Sequence, residues 1–263
     1  MSAKQMPPTS AVSNVTNLLE TTIQRFLDAR TTIPNMGRFE SDDEAHLLIG
    51  LLIRHVEGVI SLARHDLVLL PPAMAAARAV FETAVRVLWM LDPEDSFERE
   101  VRWLVGLEEY ERYYDNLAKE YDKLGVESAD PREFHRLIQA FRLNVQQVLP
   151  PEYKLLPGLP NYRQMLDAIG HVNGYAWYIV ASNHTHPTQI ATSLYRRHFG
   201  ASKEFGEFIQ ASDWHPVMLL CAFALHTTGT KFIERCGGNP ATFVTGRELE
   251  EMSRALAALS ASK

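Results

Sequence analysis

The chain has 263 residues, 26 basic against 32 acidic side chains, and a formal net charge of −6; 46% of residues are hydrophobic and 22% charged. That is the balance of a globular chain long enough for one large domain or two small ones, and its acidic sign argues against a broad nucleic-acid-binding face. The two cysteines, Cys221 and Cys236, form no Cys-x-x-Cys pair; they fit a reduced, cytoplasmic setting and offer no structural zinc set.

In chain order, helical period dominates and no alternating strand is evident. Residues 1–12 contain no apolar signal core and read as a flexible N-terminal arm. Val15, Leu19, Ile23 and Phe26 make one stripe after Ser13 as cap, giving a helix over about 13–30. Ser41-Asp-Asp-Glu44 has the form of a capping box and opens a helix to about Leu70. Pro71-Pro72 ends it and suits the first turn of the next helix, Pro71–Leu91. These two near-apolar helices form an antiparallel hairpin at the centre of the fold. The apolar zone from Leu47 to Leu91 is broken by Arg54, His55, Glu57, Arg64, His65 and Asp66, so it reads as core and not as a membrane span.

Each helix of the hairpin carries a charged seam. Arg78, Glu82 and Arg86 lie within about 80° of arc on the second, and Arg54, Glu57, Ser61 and Arg64 share one face of the first. Buried charges are costly unless paired. The expectation is therefore that the seams face each other, with Arg54, Glu57, Arg78 and Glu82 as cross-pairs. The surplus of arginines over glutamates across both seams favours an anionic occupant.

After Asp92-Pro93, a long outer helix with Trp103, Tyr110, Tyr113, Tyr114 and Tyr121 runs from about Asp95 to Leu124. Its neighbouring glutamates argue against base stacking. Asp130-Pro131 starts another helix, with Asp130 as cap. The Pro-rich stretch 149–160 is the one internal boundary candidate, and its apolar residues point to a loop docked on the core. Asn161 with Gln164 caps a short helix ending at Gly170. From about Asn173 a helix places His171, Tyr175, Tyr178 and Ser182 on one face; His186 continues that face if the helix lasts to Pro187. A polar loop follows. The next helix begins near Ser212 and ends at Cys236 before Gly237-Gly238, and Thr245 with Glu248 caps a last helix to Leu259. Together these give an all-α protein, a single domain over 13–263 of about eight to ten helices.

The chain contains no Gly-rich phosphate loop, GxSxG elbow or HExxH motif, and no cofactor is called for. His184, His186 and His198, with His171 and His215 nearby, invite a metal, but no carboxylate partners sit at ligand spacing; capping of backbone carbonyls is preferred and no metal is expected. Ser182 and His186 have the spacing of a nucleophile and base, although no orienting acid or oxyanion hole is readable.

Arg78-x3-Glu82 on an apolar helix, followed by Tyr178-x3-Ser182-x3-His186 and Pro187, resembles a bacterial all-helical domain family without assigned function, over about Leu47 to Pro187. The resemblance implies that the two segments belong together; it supplies no substrate. A more distant comparison is with the helical nucleotide-binding domains of higher eukaryotes and prokaryotes, many of them toxin or phage-defence ribonucleases. Their hallmark, Arg followed four to six residues later by His, is absent: Arg38 to His46, Arg54 to His65 and Arg163 to His171 are too widely spaced.

The leading expectation is a helical binding module with an internal site for a small anionic or nucleotide-like ligand. Arg54, Arg78, Glu82, Tyr178, Ser182 and His186 would bind it. One alternative is a metal-independent nuclease or hydrolase of a bacterial defence or toxin type, using His186 with Arg78 and Glu82, or Ser182. The other is a structural protein whose ion pairs only set helix register. Neither membrane nor nucleic acid is an expected partner; a homo-oligomer through the aromatic outer helix or the C-terminal helix is.

Overall fold

The structure, a computed structural model, describes residues 5–34, 36–153, 157–186 and 188–262. The protein is all-α. The central hairpin pairs α2 (Glu40–His65) with α3 (Leu70–Leu91), the most extensive helix contact in the fold. Its chemistry is legible in spacing. Ala45, Ile49, Leu52, Val56, Val59 and Ala63 of α2, and Ala73, Ala77, Val80, Ala84, Val87 and Leu91 of α3, recur at three- and four-residue steps and are buried. Each large aliphatic side chain buried in these rows contributes about 1.5–3 kcal/mol.

Helix α9 (His215–Arg235) crosses α3 and α2, with α1 (Ser10–Arg30) and α10 (Gly246–Ser260) closing that side. Trp214, at the start of α9, is fully buried and its indole Nε1–H donates to the Leu67 carbonyl at 3.0 Å. On the other side of α3 lie α7 (Tyr162–Ala168) and α8 (Tyr175–Thr185). Helix α4 (Ser96–Gly106) packs on α2, whereas α5 (Glu108–Leu124) and α6 (Ala129–Val148) pack chiefly on each other.

The short helix α7 has the expected capping box in both directions and is followed by Gly170 at φ +74, the left-handed conformation that favours glycine. The Thr245–Glu248 box also forms, opening α10. The stretch 149–160 is docked where it is described: Tyr153 Oη donates to Asp95 at 3.0 Å, and the Leu159 N–H donates to Glu108 at 3.3 Å.

Several expectations are corrected. Helix α1 starts at Ser10 with Thr9 as cap, and Val12 is fully buried, so residues 10–12 belong to the helix. The Ser41–Glu44 capping box does not form. The cap position falls on Phe39, and the Ser41 N–H receives a carboxylate from outside the helix, Glu100 Oε1 at 2.8 Å. A distant carboxylate satisfies the helix end, so Glu44 is not needed there. The single outer helix is two, α4 and α5, broken at Leu107, where the N–H bonds back to Leu104 and Val105 in a tight turn after Gly106. Glycine is a poor helix former, and Glu108 is held by Arg142 at 2.9 Å. Helix α6 starts at Ala129 with no side-chain cap, so Asp130 is not its cap. Its Phe134, Leu137 and Phe141 are exposed. The polar loop after α8 holds a two-residue antiparallel ladder, β1 (Arg196–Arg197) with β2 (Glu204–Phe205).

Three stretches, Glu40–His65, Leu67–Leu91 and Ala211–Arg235, are long and apolar enough to cross a membrane by length and composition. In the fold they pack against one another.

Burial holds three histidines, His46, His184 and His226, below the ordinary imidazole value of 6.5. A depressed folded-state value means the unfolded chain takes up these protons first. Their stability contribution is therefore complete above 6.5 and falls as pH drops through the folded-state values. His226→Gln is expected to lessen the loss of stability between about pH 7.5 and about pH 5.5, read as urea midpoints. An unchanged pH slope would remove His226 from the account.

Candidate functional site

The seam of α3 is divided between two neighbours. Its N-terminal half meets α8. Arg78 Nε donates to Glu82 Oε1 at 2.7 Å, one turn along the same helix. Arg78 Nη1 donates to Thr185 Oγ1 at 2.9 Å and to His186 Nε2 at 3.0 Å. Arginine has no lone pair to offer, so His186 Nε2 is the acceptor and the ring proton sits on Nδ1. The guanidinium also lies over the Tyr178 ring, 5.5 Å from its centroid. Tyr178 is packed in turn by Tyr175, Tyr162 and Phe81. The Glu82 hydrogen bond, opposed by partial burial, raises the pKa of Arg78. The side chains of Arg78 and Glu82 are 22% and 25% exposed, so the pair sits half-buried at an open surface.

Local structure explains the reach of His186. Helix α8 runs through Thr185, and His186 turns extended at φ −103 and ψ 153, the conformation favoured before proline. Pro187 itself lies outside the described residues. Thr185 follows Tyr178 by seven residues, two full turns, so both face Arg78. Thr185 was legible from that spacing yet was not singled out. Ser182 lies on the same side of α8, and its Oγ is buried with no hydrogen-bond partner. Among the described residues it makes no hydrogen bond to His186, so a Ser–His nucleophile pair is not formed.

The C-terminal half of the seam meets α5. Arg86 makes a bidentate pair with Glu109, with Nη2 donating to Oε1 at 2.7 Å and Nη1 to Oε2. The Arg86 hydrogen bond holds the Glu109 carboxyl below the usual range. Between the halves, burial first and Glu82 second push the Tyr162 phenol up to about 12.

Arg54 does not join the site, and the two helix seams do not face each other. Arg54 is mostly exposed and pairs with Glu57 at 2.6 Å on its own helix, whereas Arg64 reaches Glu20 and Asn17 of α1. The reason is energetic. Exposed ion pairs contribute about 0–1 kcal/mol, so α2 turns its aliphatic face to α3 and leaves Arg54 and Glu57 in water. The arginine surplus expected across the seams disappears: Arg78 faces Glu82 and Arg86 faces Glu109. Among the described residues a buried ion pair lies elsewhere, between Arg99 and Asp42, 5% and 3% exposed.

The histidines are scattered. His171 packs edge-on against Phe223, His184 is half-buried on α8, His198 is in the left-handed region at φ 58, and His215 opens α9. Among the described residues no three His, Cys, Asp or Glu side chains gather as a metal set.

No family model, curated protein or solved structure matches the chain. That is consistent with the resemblance to an uncharacterised family and leaves the motifs to the sequence alone.

Proposed function

We propose that the protein is a helical binding module whose α3–α8 site takes a small anionic or nucleotide-like ligand. Arg78 is the anchor, Glu82 and His186 orient it, and Tyr178 and Ser182 complete the wall. One observation supports this reading above others. The guanidinium is held at Nε by Glu82 and at Nη1 by Thr185 and His186, against the ring of Tyr178. A guanidinium pinned in this way presents a fixed donor edge, which suits carboxylate or phosphate oxygens.

The hydrolase alternative is less well supported, because His186 Nε2 already accepts from Arg78 and Ser182 makes no hydrogen bond to a base among the described residues. The same reading takes the chain as cytoplasmic and not membrane-inserted, since Arg54, Glu57 and Arg64 lie along one side of α2. It also takes self-association as part of function, supported by the exposed row Phe134, Leu137 and Phe141 on α6.

The test is a thermal-shift series with inorganic phosphate, adenosine monophosphate and small carboxylates. Stabilisation of the native chain is expected, lost in Arg78→Ala and weakened in Arg78→Lys, which keeps the charge but not the fork. Equal stabilisation of native chain and Arg78→Ala would reject Arg78 as anchor. No stabilisation by any of them would favour the purely structural role for the ion pairs.

A further inference from the structure

At the far end of the α3 seam lies a half-open cavity of about 290 Å³, bounded by α2, α3, α4, α5 and the loop at Leu159. Its volume is at the small end of the range for ligand sites. Five aromatic side chains line it: Trp89, Trp103, Tyr110, Tyr113 and Tyr114. So does Glu44, the residue freed when Glu100 took over the start of α2.

The charges in the wall decide what would fit. Arg86 is paired with both oxygens of Glu109. Arg102 donates to the Trp89 carbonyl, lies over the Trp89 ring at 5.2 Å and has Asp92 at 3.9 Å. Glu44 makes no hydrogen bond or ion pair with any described residue, and burial holds its carboxyl above the usual range. Its charge is the leading cause that raises the Tyr110 phenol in the same wall. Among the described lining residues, Glu44 is therefore the charge without a hydrogen-bond or ion-pair partner, and it is negative; Arg86 acts on it only through space. One face of Trp89 is already met by Arg102 and one of Tyr114 by Phe134; the rings of Trp103, Tyr110 and Tyr113 add further faces that are negative through their quadrupoles. An anion is opposed by both features, whereas a cation with an apolar surface is favoured by both.

We propose that this cavity binds an alkylated ammonium ion, with Glu44 as the counter-charge and the tryptophan and tyrosine rings as its wall. The site is separate from the Arg78 cluster and takes a ligand of opposite sign.

The full chain is titrated with choline and with 3,3-dimethylbutan-1-ol, the uncharged molecule of the same shape, at about pH 8, well above the carboxylate range. The readouts are tryptophan fluorescence, reporting Trp89 and Trp103, and calorimetry. Choline is expected to bind saturably and at least tenfold more tightly than the alcohol. Glu44→Gln, which keeps the shape, is expected to lose at least tenfold for choline and to leave the alcohol unchanged. Tyr110→Leu removes a ring at the exposed rim without touching Glu44; it is expected to weaken choline several-fold, and it serves as the second variant should Glu44→Gln fail to fold. No saturable choline binding, equal affinity for choline and the alcohol, or undiminished choline binding in either folded variant would overturn the proposal.

Discussion

Replacing Trp214 with alanine is expected to lower the unfolding free energy by about 3–5 kcal/mol, near the upper end for single substitutions. Two losses combine. The side chain is fully buried at the junction of α9 with the α2–α3 turn, so its removal leaves a void that rigid helices cannot close. The Leu67 carbonyl also loses its buried donor. Trp214→Phe separates the two, because it fills most of the space while leaving that carbonyl unpaired; about 1–3 kcal/mol is expected. Urea unfolding of the three proteins measures both terms. A cost below 1 kcal/mol for Trp214→Ala would show that the turn is not held from α9.

Arg99→Ala is expected to be of similar size, about 3–5 kcal/mol at neutral pH, and for an electrostatic reason. Arg99 lies 3.5 Å from Asp42, and its Nη1 donates to the carbonyls of Pro93 and Glu94. Its removal strands a buried carboxylate. Burial already raises the Asp42 carboxyl, with Arg99 opposing that shift. A carboxyl raised in the fold contributes stability that is full below its unfolded value and is lost as pH rises through its folded value. Without Arg99 that folded value rises further. The deficit of Arg99→Ala relative to the native chain is therefore expected to shrink as pH falls below neutral. Asp42→Asn combined with Arg99→Met is expected to recover at least half of it. A deficit independent of pH that the double variant fails to recover would assign the effect to lost packing of the arginine stem.

The local signals that proved readable share a property: their partners lie within one or two helical turns. The boxes Asn161–Gln164 and Thr245–Glu248, the prolines at the head of α3 and the extended residue before Pro187 each depend on neighbouring backbone alone. The three- and four-residue spacing of aliphatic side chains in α2 and α3 is of the same kind. It specifies which face is buried, and hence the hairpin. The Ser41–Glu44 pattern is the instructive exception. It is as good a box by spacing as the other two, yet Glu100, 59 residues away, outcompetes it.

The opposed charges of α3 were legible as a seam, and their meeting with the Tyr178–His186 segment was implied by the family resemblance. Which carboxylate answers Arg86 was not. Glu108, Glu109 and Glu111 are equivalent by sequence, and only the break at Leu107 aims Glu109 at Arg86 while Glu108 and Glu111 take Arg142. Arg54 failed for the converse reason. Its angular position on α2 was right, but the side of the helix that faces α3 is set by burial of aliphatic surface, which outweighs an ion pair available in water.

By itself, then, the sequence determined the helical class, most helix ends, the central hairpin and the charged stripe on α3, because periodicity and capping act over a few residues. The tertiary structure alone decided how that stripe is shared between α8 and α5, where the buried ion pair lies, and that Glu44 faces an aromatic cavity. Those outcomes depend on which distant groups compete for the same donor, and that competition is settled only when the helices pack.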